Sequence, residues 1–188
     1  LPFTMLGPAD DAYLAVGISD EVRSRLTSIT GLEVIAGSSA RQYAGSAKPP
    51  EIIAGELGVR YLLSGTVQWQ KGDDGQRVRV TPELVEVARD GAPTIRWQDT
   101  FDAPLEDLFR VQTRVANRVS QALDLALTTE TAPAFVQPPT ADLAAYDAFL
   151  RGQAIWGRQE AVDPIRLHEA SLHFQRAVAL DPDFAPAW

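Results

Sequence analysis

Apolar positions keep a helical period near the start of the chain, alternate through its middle, and return to a helical period towards its end. Leu1-Pro2-Phe3 reads as the tail of a strand whose beginning is missing. From Asp10 the pattern turns helical. Ser19 is a good N-cap, Asp20 and Glu21 suit a first turn, and Val22, Leu26 and Ile29 recur at helical spacing until Gly31. Leu32 to Ala36 reads as a short strand. Pro49 and Pro50 open a further helix with Ile52, Ile53 and Leu57 as its apolar face, and Gly58 ends it.

From Val59 to Trp69 the period becomes two, with Val59, Tyr61, Leu63, Val67 and Trp69 on one face. Lys71 to Gly75 is a hairpin turn, since glycine and aspartate accept the backbone angles it needs. Arg77 to Val87 is the return strand, first carried by Val78 and Val80 and then, one residue out of phase, by Val85 and Val87. Pro82 lies at that change of phase and has no N–H to donate, which predicts a bulge or an edge position. Asp90-Gly91 makes the next turn, and Ile95, Trp97 and Phe101 alternate on a third strand. The three strands predict an antiparallel meander.

Asp102 then reads as the cap of a long helix over 103–127, with the apolar stripe Leu108, Val111, Val115, Val119, Ala122 and Ala126 laid on the sheet. Thr128 to Pro139 lacks any apolar period, and helices resume over 141–156 and from about Asp163 to Leu180. The fold class expected is therefore α/β, a mixed sheet with packed helices, followed by an all-α helical hairpin. The boundaries are a domain over 1–132, a linker over 133–139 and the hairpin over 140–188.

Composition narrows the function classes. With 188 residues and 45% hydrophobic content, the chain holds one ordinary domain and a small addition. A net charge of −8 disfavours nucleic acid and anionic lipid as partners. The absence of cysteine excludes disulfides, thiolate catalysis and zinc–thiolate sites. No apolar run reaches the ~18 residues of a membrane span, so no direct membrane insertion is expected. The compartment stays open between cytoplasmic and extracytoplasmic, and the scarcity of lysine, with only Lys48 and Lys71, hints at a GC-rich bacterial source.

Catalytic chemistry finds little to stand on. His168 and His173 are five apart, off the i, i+4 spacing that chelates zinc on a helix. The acid pairs Asp10-Asp11, Asp73-Asp74 and Glu106-Asp107 sit where turns and helix starts call for acids. No catalytic, cofactor-binding or metal-ligating residue is assigned, and no cofactor is expected. The best small-ligand candidate is the loop Gly37, Ser38 and Ser39, small and polar after a strand, although it lacks the phosphate-loop patterns. Trp69 and Trp97 lie on apolar strand faces and read as core rather than as a stacking platform.

The spacing Ala170-x-x-x-Phe174-x-x-Ala177-x-x-x-x-Pro182 resembles the second helix and exit turn of a tetratricopeptide repeat, with Gly152 fitting its first helix. Ala148 stands where a large aromatic is typical, and the stretch 157–163 lengthens the inter-helix loop. Upstream, Leu1-Pro2-Phe3, Gly17-Ile18-Ser19-Asp20-Glu21-Val22, the run from Glu56 to Val67, Arg77-Val78-Arg79-Val80, Glu83-Leu84-Val85 and Asp107-Leu108-Phe109-x-x-Gln112 together resemble the TolB-like amino-terminal domain over roughly 1–127. In that family such a domain is commonly followed by tetratricopeptide repeats and often preceded by a kinase, a nucleotide cyclase or a winged-helix domain. The resemblance implies a non-catalytic sensing or scaffolding segment of a bacterial regulatory protein, binding protein partners through the helical array, its output module outside these residues. Two alternatives are the extracytoplasmic part of a membrane-anchored Ser/Thr kinase and a receptor for a nucleotide or another anion.

Overall fold

The alternating stretch that begins at Tyr61 pairs with its own return along its whole length: β2 (Tyr61–Gly72) and β3 (Gly75–Glu86) run antiparallel from Tyr61↔Glu86 to Gly72↔Gly75. In the computed structural model the described residues are 1–72, 75–88, 92–123, 140, 142–156 and 163–188. They form two compact units, Leu1–Ala134 and Phe135–Trp188. Among them are six α-helices and a sheet of mixed orientation, an α/β arrangement. The turns expected at Asp73-Asp74 and Asp90-Gly91, the linker over 133–139 and the loop from Gly157 up to residue 162 lie outside the described residues.

In the first unit the sheet order is β1-β2-β3-β4, with β5 also on β3. β1 (Thr4–Met5) runs parallel to β2, whereas β4 (Thr94–Gln98) and β5 (Phe101–Pro104) run antiparallel to β3. The expected third strand is thus two strands in line, with a gap between them. Pro82 faces that gap. Gly65↔Pro82 falls between the hydrogen-bonded pairs of the β2–β3 ladder, so residue 82 turns its nitrogen away from β2 and needs no N–H there. The ladder passes Pro82 without the expected bulge, and the only shift in pairing on β3 among the described residues lies at Leu84/Val85 against β4. Gly65 is required opposite: a Cβ would stand 2.9 Å from the Thr81 carbonyl oxygen.

The change of apolar phase on β3 has another cause, burial on both faces. Val67, Val78 and Val80 point to one face and are buried, and the directly paired Leu62 and Val85 point to the other and are buried as well. Ile53 and Ala54 of α3 (Pro50–Leu57) pack on Leu62. Pro50 starts α3 and Gly58 ends it at φ 66°, the left-handed cap glycine favours. Ile52 is exposed rather than part of the apolar face.

α1 (Ala12–Thr27) begins seven residues before Ser19, which is therefore not its cap. Leu14, Ala15 and Ile18 already carry the buried stripe, and the Ser19 hydroxyl donates to the Val16 carbonyl at 2.8 Å, a bond that satisfies a serine inside a helix. α4 (Leu108–Ala122) follows a 3-10 turn at Leu105–Asp107 and packs against α1 and the sheet. Leu108, Val111, Val115 and Val119 are fully buried, each worth about 1.5–3 kcal/mol. Asp102 is not the cap of this helix but a residue of β5, where it accepts from Arg77 and Arg79 across the strand. Leu32 to Ala36 does not form the expected strand and pairs with no other strand among the described residues, and α2 (Gly37–Arg41) follows it.

The second unit is a hairpin of α5 (Leu143–Trp156) and α6 (Pro164–Leu180) closed by a 3-10 turn at Ala185–Ala187. Asp142 receives the Ala144 and Ala145 amides at 2.8 and 3.0 Å, and Asp163 receives that of Ile165 at 3.0 Å, so each helix starts on an aspartate. No described helix is long and apolar enough to cross a membrane.

Candidate functional site

Two concave features stand out, one in each unit. In the first unit a cavity of about 320 Å³ lies between α1, the stretch Leu32–Ile35 and the end of β2 nearest Tyr61. Its walls are mostly apolar, among them Leu26, Val34, Leu57, Val59 and Leu62. The polar part of its rim is an ion-pair cluster: Asp20 meets Arg23 at 3.2 Å and Arg41 at 3.0 Å. Arg23 lies flat on Gly37, where a Cβ would come within 2.9 Å of the guanidinium carbon. Glycine at 37 therefore makes room for an arginine.

The candidate ligand residues Gly37, Ser38 and Ser39 open α2, a helix of five residues. Gly37 reaches the cavity, whereas Ser38 and Ser39 do not line it. The Ser39 and Ala40 amides both donate to the Ala36 carbonyl at 3.1 Å, so those two donors are used within the turn.

The packing signature in the second unit comes together as one contact. Ala170 and Ala177 are completely buried, and Gly152 allows the Phe174 ring to sit 2.7 Å from where its Cβ would be. Phe174 lies tilted against Phe149, ring centres 6.0 Å apart, and Phe149 meets Phe184 edge-on at 4.9 Å. Pro182 follows the helix end, where Asp181 takes the Asp183 amide at 3.0 Å and the Thr140 hydroxyl. Phe149 and Phe184 were not singled out from the sequence. Beside this seam the unit leaves a groove of about 410 Å³ lined by Trp156, Leu167, Phe174, Val178, Ala187 and Trp188.

The remaining candidates for chemistry stay apart. His168 is exposed and His173 half-buried on α6, and no group of three or more His, Asp or Glu able to hold a metal occurs among the described residues. Asp10 and Asp11 lie in a 3-10 turn, and Asp107 pairs with Arg110 at 3.1 Å. Trp69 and Trp97 are half-buried, Trp97 lying 6.3 Å from the Phe101 ring. On the surface, hydrogen bonds from Lys48 and then Tyr43 hold the Glu56 carboxyl below its ordinary range.

No family model matches the chain. A protein of Rhizobium meliloti (strain 1021) named "Putative adenylate cyclase 3" is 31% identical over 190 residues. The similarity covers 100% of this chain, and the chain spans 30% of the length of that relative.

Proposed function

We propose that this chain is a non-catalytic sensing and scaffolding segment of a bacterial multidomain regulatory protein. Its first unit is a TolB-like amino-terminal domain, and its second is the opening helical hairpin of a tetratricopeptide array that binds protein partners. The observation that carries the reading is the one-sided packing of α5 and α6. Small residues and Phe174 fill the seam, while beside it an apolar groove stays open between Trp156 and Trp188, 58% and 83% exposed. A helix pair of this kind buries its apolar surface by stacking on neighbours. The nucleotide cyclase named in the relative suggests the kind of output such a segment serves, with the chemistry in the part of that protein beyond the aligned 30%.

A chimera tests this. The aligned region of the Rhizobium protein is replaced by this chain, and cyclic AMP is measured for the chimera, for a version lacking the segment and for the chain alone. The chimera should produce cyclic AMP at a level different from that of the deleted version, and the chain alone should produce none from ATP. Turnover by the chain alone, or identical output with and without the segment, would refute the proposal.

A further inference from the structure

α4 lays its apolar stripe against α1 and the sheet, and its opposite face carries charge of one sign. Arg110, Arg114 and Arg118 stand about one turn apart there, all exposed, and no acid occurs from Leu108 to Ala122. At about 1.5 Å of rise per residue the three positions repeat about every 6 Å along the axis. Like charges at this spacing repel one another, so the row costs α4 stability rather than supporting it. The side chains are nevertheless held in place. Arg110 meets Asp107 at 3.1 Å, Arg114 lies over the Phe101 ring of β5 at 5.4 Å, and Arg118 donates to the Gln121 side-chain oxygen at 3.4 Å.

Elsewhere in the molecule arginine is matched by acid: Arg77 and Arg79 by Asp102, Arg60 and Arg96 by Glu86, and Arg151 by Asp147. Among the described arginines only Arg114, Arg118 and, on α6, Arg176 have no carboxylate within 4.0 Å. Two of these three are neighbours on α4. A chain of net charge −8 therefore concentrates unmatched positive charge on one helix face.

We propose that this face of α4 is a docking surface for an acidic helix of a partner protein, whose carboxylates, four residues apart, meet Arg110, Arg114 and Arg118 in register. A helix laid along α4 repeats the same rise, and each guanidinium can take a carboxylate through two parallel N–H bonds. The length of the face favours this occupant. α4 has 15 residues and is about 22 Å long, so a helix of similar length stays within the basic row. A nucleic acid or an anionic membrane extends past it, over a molecule whose net charge is of its own sign. The surface lies in the first unit, so the inference is independent of partner binding by the helical hairpin.

The test titrates the full chain against two alanine-based helical peptides of identical composition. One carries glutamates at i, i+4 and i+8, and the other spreads the same glutamates around the helix. At about 0.1 M salt the screening length is about 10 Å, which hides the net charge and leaves the contact pairs. The periodic peptide should bind at least about tenfold more tightly than the other. Arg114→Gln and Arg118→Gln, singly and together, should weaken it progressively, with urea midpoints near that of the parent, while Arg176→Gln leaves it unchanged. Equal affinity for the two peptides, no binding of either, or binding indifferent to the α4 variants would overturn the proposal. Tighter binding of a short single-stranded oligonucleotide or of phosphatidylserine vesicles than of the periodic peptide would overturn it too, assigning the face to another polyanion.

Discussion

Single side chains decide more here than their residue types suggest. Gly152→Ala adds a methyl that strikes the Phe174 ring at 2.7–2.8 Å. Alanine is worth about 1 kcal/mol over glycine in a helix, whereas overpacking costs about 1–3 kcal/mol, so the variant should lose about 1 kcal/mol in urea unfolding. In a Phe174→Ala background the clash disappears, and the same substitution should become stabilising; a cost unchanged between the two backgrounds would refute the account. Arg25 is a second case. Its side chain is 3% exposed and its Nη2 lies 2.9 Å from Glu21, off-angle for a hydrogen bond, while Nε and Nη1 have no acceptor among the described residues. Glu21→Gln leaves that charge uncompensated and should cost about 3 kcal/mol, whereas Arg25→Met should be close to neutral. Equal losses in both variants would count against this. Ala170, Phe174 and Ala177 were legible in the sequence because their spacing repeats on one helix face. Arg25 was not, since an arginine beside acids in a helix reads as surface.

At the scale of elements, the sequence shows period well and partners poorly. The strand period, although β2 starts at Tyr61 rather than Val59, and the Pro50 and Gly58 boundaries of α3 depend on neighbours along the chain, and they were readable. Asp102 followed by Pro104 suits a helix start just as well as a strand, and the choice was made by Arg77 and Arg79, about twenty-five residues upstream in sequence and adjacent only across the ladder. The carboxyl of Asp102 is held below the ordinary aspartate range, by Arg79 first and then Arg77. Because its folded pKa is depressed, its contribution is present above the ordinary aspartate pKa and fades as pH falls through the lowered value. The pairs are exposed, so the effect on global stability is small, and it should show locally. Asp102→Asn should speed amide exchange at Phe101 and Ala103 at neutral pH and abolish the acid-dependent part of that exchange. Exchange unchanged from the parent at every pH would remove Asp102 from the account of β5.

For the whole molecule, apolar surface and charge pull in opposite directions. The net charge of −8 keeps copies apart, yet α6 presents Ile165 at 79% exposure and Leu172 about half exposed. Exposed apolar area on one helix favours association when concentration offsets the repulsion. Sedimentation velocity across a concentration series should show a growing dimer fraction, larger at higher salt, and Ile165→Lys with Leu172→Lys should hold the chain monomeric. A monomer at every concentration would overturn this expectation. The acidic balance and the lack of cysteine were plain from composition, whereas the placement of these apolar side chains on an open side needed the packing of α5 to be known.

The two tryptophans beside the groove have an optical consequence. Trp188 is oriented by a hydrogen bond from its indole nitrogen to the Pro182 carbonyl at 3.1 Å, and Trp156 faces the same space from α5. Whatever settles there transfers both indoles from water to an apolar medium, while Trp69 and Trp97, in the other unit, serve as an internal reference. The protein thus carries an intrinsic fluorophore pair that shifts its emission to the blue and resists acrylamide quenching once the groove is filled, so occupancy can be titrated without attaching any dye.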